Sequence, residues 1–352
     1  MQPDFLNKNV TMETDTLFGR TLEELTLICN DLSLPKYNAK QIADWLYKKP
    51  ISSIDEMTNL SLKTRELLKE NFSFGLLDYD QVQTSTDGTK KYLFPTLKGK
   101  FIEAAYIPEK NRNTLCVSTQ VGCKMGCEFC MTGKQGFQGN LSAGEIINQV
   151  RSLPEKDMLT NIVYMGMGEP LDNLNEVLKS LEILTSDWGF AMSPGRITVS
   201  SIGIIPAMKI LLEKSKCNFA ISMHSPFEDE RKQILPVESV HPLKEILQFL
   251  KDFDAGRRKI SFEYIMFKDF NDTPRHSKEL SRILNGIKCR INLIRFHPIP
   301  QSSLKVSDDN RIEEFKNSLV AKGIITTIRR SRGLDISAAC GLLSTKASGN
   351  KT

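Results

Sequence analysis

From residue 113 to residue 330 the chain alternates short apolar runs with longer amphipathic ones, and this alternation restricts the fold more than any other feature. The apolar runs fall at 113–119, 161–165, 196–201, 218–223, 259–267 and 290–296, each short enough for a strand. The segments between them, near 142–153, 173–186, 205–214, 242–253 and 274–285, read as helices. Strands that alternate with helices build parallel βα units, because a parallel partner can only be reached through a long crossover. Counting the run at 113–119, there are six units. They predict an α/β fold, a partial (βα)6 barrel, rather than a doubly wound sheet, because the residues able to do chemistry follow strand C-termini, where barrels place active sites. A last helix over 308–322 and a strand over 324–330 lead into a C-terminal loop, Arg332-Gly-Leu-Asp-Ile-Ser-Ala-Ala-Cys340-Gly341.

The preceding residues follow other periods. Residues 1 to about 17 are polar and expected to be loose. Thr21-Leu-Glu-Glu24 is a capping box that opens a helix to Asp31. A second helix over 39–49 carries Ile42, Trp45 and Leu46 on one face and stops at Pro50; a third spans 61–71. These helices define a module over 1–76, either a grip on nucleic acid or a packing appendage. From residue 80 the period becomes two: strands on either side of Asp87-Gly88 form a hairpin, and 99–108 adds a strand bearing Glu103. The expected division is therefore a helical accessory domain (1–76), a β-hairpin extension (77–112), a core (113–345) and a tail (346–352).

Composition narrows the class. Of 352 residues, 40% are hydrophobic and 25% charged, as in globular proteins. A net charge of +5 is compatible with RNA without demonstrating it. Lys90-Lys91, Lys110/Arg112, Arg257-Arg-Lys259 and Arg329-Arg330 are candidate phosphate contacts or plain solvated surface. Eight cysteines without a secretory leader argue for a reducing compartment. No apolar run is long enough for a bilayer, so a cytoplasmic protein without membrane attachment is expected.

Chemistry concentrates in Cys123-Lys-Met-Gly-Cys127-Glu-Phe-Cys130, a C-x3-C-x2-C loop after the first core strand. Three thiolates can hold three irons of a [4Fe–4S] cube and leave the fourth open to a substrate. The alternative is a zinc site with Cys116 as fourth thiolate. The spacing resembles that of the radical S-adenosylmethionine (SAM) superfamily. That resemblance implies that SAM chelates the open iron and is cleaved reductively to a 5′-deoxyadenosyl radical. It also implies that Gly166-Met-Gly168-Glu169-Pro170, after the second strand, binds the SAM amino group through Gly168 and Glu169. Ser200, after the third strand, and Ser222-Met223-His224, after the fourth, would meet the ribose or carboxylate. His297, after the sixth, is placed to meet the adenine.

The likeness extends further. Tyr106-Ile-Pro, Cys116-Val-Ser-Thr-Gln-Val-Gly-Cys123, Cys130-Met-Thr-Gly, Gln135-Gly-Phe137, the Gly-Glu-Pro motif, Ile221-Ser-Met-His224, Ile291-Asn-Leu-Ile and the Cys340 loop together resemble the RlmN-type 23S rRNA and tRNA adenine-C2 methyltransferases. The family implies that Cys340 takes a methyl group from one SAM. A radical from a second SAM then activates that methyl group for addition to C2. Cys116 resolves the protein–RNA adduct by forming a transient disulfide with Cys340, with Glu103 or Cys116 as proton acceptor. It further implies a flavodoxin- or ferredoxin-type electron donor and a monomer. This chain departs at His297, where the family usually has Asn, and at Met131, where it has Ser or Ala. Cys29, Cys217 and Cys289 read as ordinary core cysteines. Pro170 favours C2 over the Cfr-type C8 methylation; a non-catalytic zinc- or cluster-bearing RNA-binding protein and a glycyl-radical activase are the other rivals.

Overall fold

The structure, a computed structural model, describes residues 15–300 and 302–345; most of the polar stretch at the N-terminus, and the tail from 346, lie outside the described residues. The Thr21 hydroxyl accepts the Glu24 N–H at 3.2 Å and the Glu24 carboxylate accepts the Thr21 N–H at 2.9 Å, so the capping box opens α1 (Leu22–Asp31). Helices α2 (Tyr37–Lys48) and α3 (Leu62–Asn71) complete the module. Its turn-signalled neighbour is a hairpin of β1 (Gln81–Thr84) and β2 (Lys90–Pro95), closed by Gly88 at φ +84°, followed by antiparallel β3 (Phe101–Glu109).

The extension is not a separate layer. β3 pairs antiparallel with β4 (Arg112–Cys116), setting Ala105 opposite Cys116, and β4 is the first strand of the core. After it, β5 (Gln120–Val121) and β6 (Gly139–Asn140) form a small ribbon around the cysteine loop, which runs into α4 (Met131–Gln135). Then come α5 (Ala143–Arg151), β7 (Asn161–Tyr164), α6 (Leu174–Thr185), β8 (Ile197–Ser201), α7 (Ile205–Lys214) and β9 (Asn218–Ser222). The chain continues through α8 (Glu228–Ile234), α9 (Leu243–Asp252), β10 (Ile260–Met266), α10 (Pro274–Ile283), β11 (Cys289–Arg295), α11 (Asp309–Val320) and β12 (Ile325–Ile328).

Among the described residues, the ten long strands belong to one open sheet, in the order β1-β2-β3-β4-β7-β8-β9-β10-β11-β12. From β4 onward every pair is parallel. The parallel part thus has seven strands rather than six: α11 is a true crossover, and it returns the chain to lay β12 beside β11. Two short helices have no signature in the sequence. Both α4 and α8 are too short and too polar to show an apolar period, and α8 buries only Arg231 and Ile234.

Module and barrel share one core. Tyr47 of α2 packs its ring 5.7 Å from Phe18, 5.8 Å from Trp188 and 5.9 Å from Phe190. Arg151, at the end of α5, donates to the carbonyls of Lys49 and Ile51. The backbone of Gly19 presses on that of Gly144, where a Cβ on Gly19 would stand 2.4 Å from the Gly144 nitrogen. Among the described residues no helix is long and apolar enough to cross a membrane.

Candidate active site

The C-terminal ends of the parallel strands open on one cavity. Cys123, Cys127 and Cys130 line it from the loop after β4, and Gly168 and Glu169 from the turn after β7. Ser200, Ser222 and His224 line it from the ends of β8 and β9. Cys116 and Cys340 complete its wall. The alternation of apolar strand and polar terminus positions these groups: strand interiors bury, and the first residues past each strand face the opening.

The cysteine loop is held by its backbone. Glu128 N–H donates to the Ile234 carbonyl at 3.1 Å, and Gly126 takes φ +67°. Phe129 packs edge-on against the His224 ring at 4.7 Å. Among the described residues no three His, Cys, Asp or Glu side chains converge tightly enough to clamp a single ion. Cys116 ends a strand and is not part of the loop. A cube spreads its ligands more widely than one ion does. Three thiols on one cavity wall, with no fourth protein ligand beside them in the loop, therefore fit an iron–sulfur cluster with one open iron.

Glu169 is buried, and its carboxylate accepts N–H groups of Leu171 at 3.0 Å and Ile202 at 3.1 Å. Its own N–H donates to Gln120 at 2.9 Å. Burial pushes its pKa up to about 7, against the pull of these bonds and of Ser201. Gly168, at φ +97°, passes so close to Gln120 that a Cβ would sit 2.5 Å from that side chain. The result is a desolvated carboxylate lining the cavity, chemically able to accept an ammonium group. Gln120, Ser201 and Ile202 carry no sequence signal for this role, since each acts through a tertiary contact.

His224 takes φ +57° and accepts the Ile265 N–H on Nδ1 at 3.0 Å. Burial pushes its pKa down to about 3, so the ring is neutral and its proton sits on Nε2. Met223 does not line the cavity. Its side chain lies in the core because successive residues of an extended chain face opposite sides. Beneath it the buried Arg231 donates to the carbonyls of Ile202 (2.8 Å), Ser222 (3.0 Å) and Met223 (3.2 Å) and pairs with Glu238, tying the ends of β8 and β9 together.

Cys116 and Cys340 come to one cavity wall only in the fold. Cys116 is buried at the end of β4, and desolvation, with Cys340 nearby, pushes its thiol up to about 12. Cys340 lies in an exposed loop, yet desolvation at its sulfur pushes its thiol up to about 11 against the opposing charge of Arg329. Arg329 is itself held by Glu263 at 3.1 Å. Ala338 packs into a small cluster with Cys116, Ala105 and Val163.

Clasps from three sides seat this loop. Asp335 accepts from the Ser85 hydroxyl at 2.5 Å and Thr86 N–H at 3.0 Å, and Asp87 accepts the Gly333 N–H at 3.0 Å. The Met131 N–H donates to the Gly341 carbonyl at 2.8 Å, and the Thr132 hydroxyl to the Leu343 carbonyl at 2.7 Å. Glu103 accepts the Ser344 N–H at 2.9 Å and pairs with Lys91 at 3.0 Å. Glu103 therefore does not line the cavity, although it shares a sheet face with Ala105 and Cys116. His297 lines a neighbouring cavity, which Cys340 also lines. Lys90 is engaged by Glu155 at 2.6 Å, so neither Lys90 nor Lys91 stands free for phosphate.

Known proteins share this arrangement. A family model for the radical SAM superfamily matches residues 117–279, and one for the ribosomal RNA large subunit methyltransferase N-terminal domain matches 16–73. A protein of Parabacteroides distasonis named a probable dual-specificity RNA methyltransferase RlmN is 54% identical over 94% of this chain and 96% of its own. The dual-specificity RNA methyltransferase RlmN of Syntrophus aciditrophicus is 43% identical, covering 93% and 95%. The crystal structure of a radical SAM methyltransferase from Sphaerobacter thermophilus superimposes with a TM-score of 0.87 at 36% identity, over 94% of this chain and 99% of that one. Sheet, cysteine loop and glutamate turn are those of a radical SAM enzyme, a class that works with a [4Fe–4S] cluster and SAM. Within that class the chain belongs to the RlmN family of RNA methyltransferases.

Proposed function

We propose that this protein methylates C2 of adenosine in 23S rRNA and in tRNA through a cysteine-bound methyl group. The observation that carries this reading is the placement of two free thiols, Cys116 and Cys340, on the wall of the cavity lined by the three cluster cysteines. When bound, the cluster and SAM supply an electron, a methyl group and a hydrogen-abstracting radical. Cys123, Cys127 and Cys130 would hold the cluster. Gly168, Glu169, Ser200, Ser222 and His224 would hold SAM, with Met223 contributing backbone only.

Adenine C2 is electron-poor and does not attack a methyl donor, so the protein needs its own nucleophile. Cys340 serves as its thiolate, which Arg329 stabilises. Once carbon joins the base, Cys116 attacks the Cys340 sulfur. As the new S–S bond forms, the S–C bond breaks and its electron pair goes to the methylene carbon. This carbon takes up a proton to become the methyl group of the departing base. The C2 proton goes to Glu103 or Cys116, and the one electron left over from radical addition would pass to the bound cluster. Residues 1–76 serve as the accessory RNA-binding domain, 77–112 as the β extension and 113–345 as the catalytic core, with 346–352 a tail. The protein would be a cytoplasmic monomer with a flavodoxin- or ferredoxin-type partner as its electron donor. Pro170 favours C2 over C8.

The test is anaerobic turnover of reconstituted protein with SAM, a reductant and unmethylated 23S rRNA or tRNA, read by nucleoside mass spectrometry. 2-Methyladenosine is expected. 8-Methyladenosine would overturn the regiochemistry, and SAM cleavage without RNA product would overturn the substrate.

A further inference from the structure

A second cavity runs along the inner face of the parallel strands, from their N-terminal ends to Cys340. Arg112 stands at the start of β4, Lys259 just before β10 and Arg290 near the start of β11; Arg329, Arg330 and Arg332 follow β12. A third cleft adjoins it where module meets barrel, lined by Lys48, Lys49, Arg151, Lys156 and Arg196. The two meet at the turn before β8, where Gly195 lines one and Arg196 the other.

Eleven cations thus line two adjoining hollows, against two carboxylates, Glu109 and Asp157. The whole chain is only +5, so this is local segregation of charge, not a by-product of composition. Lys48 and Lys49 share Asp44 at 3.7 and 4.0 Å, Arg332 reaches Asp87 at 3.9 Å and Arg329 holds Glu263. Arg112 and Lys156 feel Glu109 and Asp157 only through space, and Arg196, Lys259, Arg290 and Arg330 have no ion-pair partner within 4 Å among the described residues. Uncompensated like charges repel one another and attract a polyanion. At the N-terminal face of a barrel, residues ordinarily serve stability, so a cationic rim there needs another reason.

We propose that RNA docks on this N-terminal face and the adjoining face of the helical module, with its phosphates on Arg112, Lys259, Arg290, Lys156 and Arg196. The target nucleoside then passes up the second cavity, so that RNA and SAM reach the Cys340 sulfur from opposite ends of the barrel. This rests on the RNA methyltransferase reading above.

The experiment compares two rim pairs, R112Q/R290Q and K156Q/R196Q, with a control pair of equal charge loss, K244Q/K251Q, both exposed on α9. Each reconstituted protein is measured for RNA affinity across a KCl series, and for iron content and RNA-independent methylation of Cys340 by SAM. Each rim pair is expected to bind RNA at least tenfold more weakly at low salt, with a log–log salt slope shallower by about 1.4 to 1.8. Iron content and Cys340 methylation stay at wild-type levels, and the control pair keeps the wild-type slope. Rim pairs that keep the wild-type affinity and slope while the wild-type protein methylates RNA would overturn the inference alone. A wild-type protein that neither binds nor methylates RNA would overturn the parent reading together with it.

Discussion

Two cysteines with different surroundings carry the proposed reaction. Desolvation raises both thiols, but Cys340 lies in an exposed loop with the charge of Arg329 favouring its thiolate, whereas Cys116 is buried at a strand end. Nucleophile and resolving thiol should therefore fail differently. Cys340→Ala is expected to take up no methyl group from labelled SAM while keeping its iron; loss of iron would make Cys340 a ligand instead. Cys116→Ala is expected to accumulate a covalent protein–RNA species on denaturing gels, and free product at normal yield would remove Cys116 from the resolving step. Glu169 offers a third test at this scale. A hydrogen bond to a charged group contributes about 1.5–3 kcal/mol, so Glu169→Gln should weaken SAM binding roughly 10- to 150-fold by equilibrium dialysis. Iron content should not change; unchanged affinity would move the ammonium site elsewhere. Of the residues singled out in the sequence, those that follow strand ends with small or charged neighbours reached the cavity. Met223 did not, because an alternating chain turns it into the core, and Glu103 did not, because Lys91 and Ser344 hold it.

Among the elements, the Cys340 loop is structured by partners distant in sequence. Asp87, which holds the Gly333 N–H, has its pKa depressed to about 2 by hydrogen bonds that outweigh desolvation. Its contribution is full above the unfolded carboxyl value of 3.8 and is lost as pH falls through about 2. The Gly333 amide should stay protected from hydrogen exchange at pH 4 and lose protection near pH 2. Asp87→Asn should lose part of that protection already at pH 6; full protection in that variant would refute the clasp. Arg231 anchors the ends of β8 and β9. Arg231→Met strands the buried Glu238, and breaking such a pair costs about 3–5 kcal/mol, read from the urea midpoint. A cost below about 1 kcal/mol would show that the strand ends hold without it. Neither clasp was visible beforehand. A charged seven-residue helix such as α8 looks like solvated surface until its arginine is seen to face inward.

At the scale of the molecule, the helical module is part of the barrel's core and not a tethered appendage. Tyr47, Trp188 and Phe190 pack together, and Arg151 binds the carbonyls that follow α2. Heating should therefore melt the apo protein in one transition by calorimetry, with the module and barrel unfolding together. A separate low-temperature transition, abolished by truncation of the module, would show two independent units.

The sequence by itself determined the order of elements, the cysteine triad, the glutamate turn and the parallel character of the core, because periodicity, spacing and strand-end chemistry are local properties of a chain. Strand edges, partners and distances belong to the tertiary structure. Only the fold decided that the hairpin continues the core sheet, that β12 is a seventh parallel strand, and that Glu103 grips the C-terminal loop. It alone sets Cys116 and Cys340 on one wall and gathers uncompensated cations at the far end of the barrel. Each of these rests on contacts between residues tens to hundreds of positions apart, which no local pattern encodes.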